Sequence, residues 1–140
     1  MVYVDTSVLV AYYCPEELSD QVDKLLIKMD TPVISQLTEI ELHSAVARKI
    51  REQSLTNVDG KKILSQFNRH IKQGYFTQRY LTPEHYRIAK DWISLFNTPL
   101  RTLDALHLAV AANDNLLLMT ADTKFAKSAI TLGIEVQLLK

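Results

Sequence analysis

The sequence predicts an α/β fold in which helices cover both faces of one parallel sheet. Short apolar runs that are typical of buried strands alternate with longer segments whose apolar residues recur at helical spacing. Neighbouring parallel strands need a crossover connection, which is usually a helix. The 140 residues contain three glycines and no linker, repeat or low-complexity stretch. We therefore expect residues 1–140 to form a single domain, a three-layer α/β/α sandwich around a parallel sheet.

The predicted strands are apolar runs bounded by polar or turn-forming residues. They lie at residues 2–4, 33–34, 75–81, 116–119 and 134–138. Residues 7–13 are also apolar, and they either continue the first strand or start a helix after a sharp turn. The functional crevice of such a sheet lies beyond the carboxyl ends of its strands.

The predicted helices begin at Pro, Ser, Thr or Asp residues, which favour a helix cap or a first turn. Their starts are placed at Pro15, at Ser35 or Thr38, and at Thr56, Thr82, Thr102 and Asp122. Gly74 is expected to end the helix that starts at Thr56. In the helix that starts at Thr82, the spacing places the apolar residues as far as Phe96 on the inward face.

The composition is that of an ordinary globular protein, with 47% apolar and 23% charged residues. No apolar run approaches the roughly 20 residues that a membrane span requires. The apolar N-terminus has no preceding basic region and is interrupted by Asp5, so we do not interpret it as a signal peptide. The single Cys14 cannot form an internal disulfide bond, and a lone thiol fits a reducing cytoplasm. We expect Cys14 to be a structural residue.

Two predicted strands end in the same way. The first is followed by Asp5 and Thr6, and the fourth is followed by Asp122 and Thr123. Either Asp alone is explained equally well as a helix cap. Because the carboxyl ends of parallel strands share one edge of the sheet, the repetition favours a shared acidic site.

Asp104 lies in the first turn of a helix that is otherwise apolar on nearly every side. A buried carboxylate is costly unless it is paired or binds a metal, although the helix dipole favours an acid at this position. We interpret Asp104 as a metal ligand, and His107, three residues later, as a residue that hydrogen-bonds a ligand. Glu41 is a weak signal by itself, and the nearby Glu39 points to the other side of its helix.

A cluster of carboxylates persists only around cations, and hard oxygen ligands select Mg²⁺ or Mn²⁺ over zinc. Two such ions about 4 Å apart can activate a water molecule and stabilise the leaving oxygen of a phosphodiester. The sequence has no Gly-rich phosphate loop, no His-Glu-x-x-His and no Gly-x-Ser-x-Gly. A phosphoaspartate hydrolase would need a second Asp where this chain has Ser7.

Four segments together resemble, in order, the signature blocks of PIN-domain nucleases, and most closely those of VapC toxins. They are VYVDTSVLVAYY, SQLTEIELHSAV, RTLDALHLAVAA and LLMTADTKFAKSA. The resemblance implies a Mg²⁺- or Mn²⁺-dependent single-strand endoribonuclease in which metal-activated water cleaves RNA, leaving a 3′-hydroxyl and a 5′-phosphate. The family's acidic quartet matches Asp5, Glu41, Asp104 and Asp122. Thr6 and Thr120 match hydroxyl positions close to the carboxylates.

The same resemblance implies a homodimer in the cytoplasm that a cognate antitoxin protein silences. Two rival interpretations are a housekeeping PIN nuclease in RNA processing and an RNA-binding scaffold that does not cleave. The scaffold has no need of a complete acidic quartet, and this quartet is complete.

The chain has no net charge, but its charge is distributed unevenly. Residues 48–79 contain eight basic and two acidic residues, so this segment carries a net charge of +6 and the remainder carries −6. The basic residues either solvate helices, face a protein partner or track an RNA backbone. For RNA binding, the candidates are Arg48, Arg51, Lys61 and Lys62. Of these, Arg48 and Arg51 are expected nearest to the acidic site because they follow Glu41 on one helix.

Overall fold

The computed structural model describes residues 1–140 and contains one sheet of five parallel strands. The strands are β1 (Val2–Val4), β2 (Val33–Ser35), β3 (Thr77–Arg79), β4 (Leu117–Thr120) and β5 (Val136–Leu138). Their order across the sheet is β3-β2-β1-β4-β5, so β1 is the central strand. Tyr3 of β1 is aligned with Val33 of β2 on one side and with Leu118 of β4 on the other. The predicted parallel sheet is confirmed.

Seven helices connect and cover the strands. They are α1 (Thr6–Tyr13), α2 (Ser19–Ile27), α3 (Gln36–Arg51), α4 (Asn57–Lys72), α5 (Pro83–Ile93), α6 (Thr102–Asn113) and α7 (Thr123–Thr131). Residues 7–13 are therefore helical rather than an extension of the first strand. None of the helices combines the length and apolar character that crossing a membrane requires.

Successive residues of each strand face opposite sides of the sheet, and both sides are apolar. Val4, Ile34 and Met119 pack in one core with buried residues of α1 to α4. On the other side, the residues Tyr3, Val33 and Leu118 pack against α6 and α7. Helices thus cover both faces, which confirms the predicted three-layer α/β/α architecture. Burial on both faces also explains why the strands are continuous apolar runs.

Four predicted helix starts agree with the structure, those at Ser35, Thr56, Thr82 and Asp122, and the choice between Ser35 and Thr38 is resolved. Ser35 is the N-cap of α3, and its backbone N–H donates to the Thr38 hydroxyl over 3.2 Å. Thr56 caps α4 by accepting the backbone N–H of Asp59 over 3.1 Å. Gly74 lies just beyond α4 with φ of +76°, a conformation that glycine adopts without steric cost.

The predicted start of α2 at Pro15 is wrong, because the helix begins at Ser19. The Ser19 hydroxyl accepts the backbone N–H of Glu16 and donates to the carbonyl of Ala11, at 2.9 and 2.6 Å. These bonds tie the segment after α1 into a turn before the helix can start.

Two expectations for α5 and α6 are also wrong. Phe96 was predicted to face inward, but α5 ends at Ile93 and Phe96 is 89% exposed with φ of +56°. This left-handed residue turns the chain away from the helix direction, so the helical spacing no longer applies. Thr102 is the first residue of α6 rather than its cap, and the N-cap position is occupied by Arg101.

Candidate active site

The sheet brings the carboxyl ends of β1 and β4 together at one edge. The backbone N–H of Asp5, the residue after β1, donates to the carbonyl of Met119 in β4 over 3.1 Å. Asp5 therefore continues the β1–β4 ladder by one residue. Its position is set by the pairing of the central strand β1 with β4.

Both carboxylate oxygens of Asp5 accept hydrogen bonds. Oδ1 accepts the backbone N–H of Ser7 over 3.0 Å and also the Ser7 hydroxyl, and Oδ2 accepts the Thr120 hydroxyl over 2.7 Å. Asp5 is the N-cap of α1 and is only 6% exposed. Burial raises the pKa of its carboxyl group, and the hydrogen bonds from Ser7 and Thr120 offset only part of that rise.

Asp122 is the N-cap of α7, and its surroundings are open. Its Oδ1 accepts the backbone N–H of Phe125 over 3.1 Å, and the second oxygen receives no hydrogen bond from the protein. The backbone N–H of Asp122 donates to the Thr120 hydroxyl over 3.0 Å. Since the same hydroxyl donates to Asp5, Thr120 joins the two strand ends.

Glu41 lies in α3 and is held by residues from two other helices. Its Oε1 accepts the Thr6 hydroxyl over 3.0 Å and also contacts Nε2 of His107. Burial by itself raises the pKa of Glu41, but the bonds to His107 and Thr6 outweigh it, and the net pKa is lowered. Glu39 accepts the side-chain amide of Gln78 instead and lies apart from this cluster.

A buried chain of hydroxyl groups supports His107. The Tyr3 hydroxyl lies 2.6 Å from Nδ1 of His107 and 2.8 Å from the Ser35 hydroxyl. Because a carboxylate oxygen only accepts, Nε2 of His107 is the donor in its contact with Glu41. The hydroxyl groups of Tyr3 and Ser35 thus hold the imidazole of His107 with its Nε2–H directed towards Glu41.

Asp104 lies in the first turn of α6, half-buried, and its carboxylate takes part in no hydrogen bond or ion pair within the protein. Burial raises the pKa of Asp104, and the negative charge of Asp122 raises it further. Asp104 is therefore a carboxylate without a protein partner, beside another carboxylate.

Three of the four predicted acids, Glu41, Asp104 and Asp122, line one cleft. Asp5 does not line it, although its partner Ser7 lines an adjoining cleft that shares Glu41. No three Asp, Glu, His or Cys side chains converge closely enough to hold a metal ion without rearrangement. The donor set consists of carboxylate oxygens, of which Asp104 offers two that are free of hydrogen bonds, and this chemistry fits Mg²⁺ or Mn²⁺ better than zinc.

The predicted basic residues fall on two surfaces. Arg48 lines both clefts, and Arg51 lines the adjoining one. Lys61 and Lys62 lie with Arg69 on an exposed face of α4 that does not line the acidic cleft. As expected, the two arginines are the pair nearer to the acids.

Sequence reasoning missed four residues that shape the site: Tyr3, Ser7, Arg101 and Lys124. Tyr3 was hidden in an apolar strand, where a buried hydroxyl gives no signal of its own. Ser7 had a detectable signal, because a Ser two residues after an Asp is suited to bonding with it. Arg101 and Lys124 line the acidic cleft without belonging to any motif. Cys14 is buried and burial raises the pKa of its thiol, as befits a structural residue.

The fold and the acidic cleft define an α/β protein with carboxylates gathered at the carboxyl edge of a parallel sheet. The family described as "PIN domain" matches residues 2–130, and the chain belongs to this family. The resemblance seen in the four sequence blocks is thereby confirmed. A search of curated protein sequences found no match.

Solved structures share this fold at low sequence identity. FitAcB from Neisseria gonorrhoeae is 20% identical with a TM-score of 0.71, over 97% of this chain and 96% of that one. VapC20 from Mycobacterium tuberculosis, described as a sarcin-ricin loop cleaving toxin, is 14% identical with a TM-score of 0.73, over 91% and 95%. VapBC2 from Rickettsia felis, bound to a DNA fragment from its promoter, is 16% identical with a TM-score of 0.71, over 100% of both chains.

Proposed function

We propose that this protein is a metal-dependent endoribonuclease whose metal is held by Asp5, Glu41, Asp104 and Asp122. The observation that carries the proposal is the cleft that Glu41, Asp104 and Asp122 line together in a chain of the PIN-domain family. The three carboxylates lie on three different helices: Glu41 within α3, Asp104 in the first turn of α6, and Asp122 at the N-cap of α7. Such convergence is unnecessary for capping and is typical of a ligand set.

Mg²⁺ or Mn²⁺ is the proposed cofactor. When bound, such a cation promotes ionisation of a water molecule and offsets the negative charge that develops on a phosphodiester in the transition state. The free oxygens of Asp104 and the second oxygen of Asp122 are the atoms best placed to bind it. Asp104 has the strongest need of a cation, because it is half-buried beside another negative charge.

The remaining polar residues would hold the ligands in position. Thr6 and His107 both bond Glu41 through Oε1, which leaves Oε2 free to turn towards the cleft. Thr120 and Ser7 restrain Asp5 through both oxygens. Residues of this kind, which orient the ligands of a metal, commonly affect activity by about 10–100-fold when replaced.

The proposed biological role is that of the toxin in a toxin–antitoxin pair, with single-stranded RNA as substrate. The shared fold with VapC20, whose description names cleavage of the sarcin-ricin loop, supports the activity. The shared fold with the VapBC2 and FitAcB complexes supports a cognate antitoxin protein as partner. A homodimer and a cytoplasmic location complete the proposal, and both rest on the resemblance to VapC proteins.

Cleavage of single-stranded RNA in Mn²⁺, with and without EDTA, tests the proposal. Asp104→Asn should reduce cleavage by at least about a hundredfold, since loss of a ligand exceeds loss of a residue that only orients one. Its melting temperature should be unchanged or higher, because the variant removes a charge that the fold disfavours. Asp20→Asn is the matched control, since Asp20 is exposed on α2 and lies away from the cleft.

Retained cleavage in Asp104→Asn, or cleavage that EDTA does not affect, would reject the proposed mechanism. The toxin role is tested separately, by expressing the protein in cells. Expression of the wild-type protein should arrest growth, and expression of Asp104→Asn should not. A wild-type protein that cleaves RNA without arresting growth would point to a housekeeping nuclease instead.

A further inference from the structure

The acidic cleft also contains three cationic side chains, those of Arg48, Arg101 and Lys124. None of them forms an ion pair, although three carboxylates line the same cleft. The Lys and Arg side chains that do form ion pairs, those of Lys49, Arg79 and Arg87, do not line this cleft. The cleft therefore presents cations that are free to bind an anion.

Neither a capping hydrogen bond nor an ion pair accounts for the positions of Arg101 and Lys124. Arg101 is the N-cap of α6 and its side chain makes no capping hydrogen bond. Lys124 lies in the first turn of α7, which contains no acidic residue. An N-cap favours Ser, Thr, Asp or Asn, and the positive end of the helix dipole disfavours cations. Both residues thus oppose the local preference of the helix that carries them.

Each of the two cations accompanies one of the proposed ligands on the same helix start. Arg101 precedes Asp104 by three residues, and Lys124 follows Asp122 by two. A cleft lined by carboxylates alone would repel a polyanion. Unpaired cations on the same helix starts as Asp104 and Asp122 reduce that repulsion, and each offers a bond to a phosphate oxygen.

We propose that Arg101 and Lys124 are substrate-binding residues that contact RNA phosphates on either side of the bond to be cleaved. The inference rests on the proposed nuclease function and extends it by naming the residues that hold the strand in the cleft. It also separates this site from the basic face of α4, which does not line the cleft.

The test measures binding of a fluorescein-labelled single-stranded RNA by fluorescence anisotropy, in EDTA so that no cleavage occurs. Full-length wild type is compared with Arg101→Ser and Lys124→Gln over a series of salt concentrations. Each substitution should lower the slope of log K against log salt by about 0.7, and weaken binding about fivefold at 0.1 M salt, for one lost phosphate contact. Lys127→Gln is the matched control, because Lys127 is exposed on α7 but does not line the cleft.

Arg101→Ser separates function from folding, since Ser is a better N-cap than Arg. We expect this variant to melt at the same or a higher temperature while it binds RNA more weakly. Unchanged salt slopes in both cleft variants, in a protein whose wild type cleaves RNA, would overturn the inference and leave the nuclease proposal intact. An equal loss in Lys127→Gln would also overturn it, since the effect would then be one of general charge. A wild type that neither binds nor cleaves RNA would overturn both.

Discussion

Asp5 and Asp122 follow their strands in nearly the same way along the chain, but their surroundings in the folded protein are different. Both cap a helix, by accepting the backbone N–H of Ser7 and of Phe125 respectively. Asp5 is 6% exposed with both oxygens hydrogen-bonded, whereas Asp122 is exposed with one oxygen hydrogen-bonded. The carboxylate that follows β1 is buried and restrained, whereas the carboxylate that follows β4 is exposed.

A difference of one residue in spacing accompanies this contrast. Asp5 comes directly after β1, and its backbone N–H still belongs to the ladder with β4. Asp122 is separated from β4 by Ala121, so the chain has left the sheet before the acid is reached. Thr120 serves both ends, because its hydroxyl donates to the carboxylate of Asp5 and accepts the backbone N–H of Asp122. The comparison shows that the acid directly after its strand is buried and restrained, whereas the acid one residue further from its strand is exposed.

The largest effect is expected when each carboxylate is removed. Asp5→Ala should lower the free energy of unfolding by about 2–3 kcal/mol, because it removes a cap and leaves the buried Thr120 hydroxyl and the half-buried Ser7 hydroxyl without their acceptor. Asp122→Ala should cost about 1 kcal/mol, since only a helix cap is lost. Urea unfolding of both variants measures the difference. Equal losses of unfolding free energy in the two variants would mean that Asp5 is no more strongly tied into the fold than Asp122.

A smaller effect is expected from the hydroxyl that joins the two ends. Thr120→Val should cost about 1–2 kcal/mol, because it leaves a buried carboxylate oxygen and a backbone N–H without partners. In a double-mutant cycle, Thr120→Val and Asp5→Ala should be non-additive by about 1 kcal/mol, since they remove the same side-chain bond. With Asp122→Ala the cycle should be additive within about 0.5 kcal/mol, because Thr120 contacts only the backbone there. Strong coupling to Asp122 and none to Asp5 would reverse this assignment.

The smallest change in total stability is expected for Asp5→Asn, which keeps the shape and the capping oxygen. Burial raises the pKa of Asp5 in the folded protein above the value near 3.9 of an unfolded chain. The neutral acid is therefore favoured by folding, and its contribution to stability is complete below the unfolded pKa and lost as pH rises through the folded pKa. Asn never ionises and keeps this contribution.

The measurement is urea unfolding of metal-free wild type and Asp5→Asn across pH 4–8. The stability of the variant relative to wild type should increase with pH and then level off. A relative stability that decreases with pH would mean that the native surroundings favour the charged carboxylate, contrary to the burial argument.

The amino-acid sequence by itself determined the fold class, the order of strands and helices, and the acids at the two strand ends. These follow from local properties, because the period of the apolar residues and the capping preference of Asp are expressed over a few neighbouring positions. The PIN-domain family was also evident from four short segments of sequence. The four acids were identified at the same stage, and their joint role as metal ligands is part of the proposed function.

Only the tertiary structure decided which polar groups meet. The sequence already favoured Glu41 over Glu39, but it did not show their partners: His107, 66 positions further along the chain, contacts Glu41, while Gln78 of β3 binds Glu39. The exposure of Phe96 and the place of Arg101 at a helix cap were likewise invisible, since the helical pattern continues past the point where the backbone turns. Long-range contacts of this kind depend on how the layers pack, which no local pattern in the chain encodes.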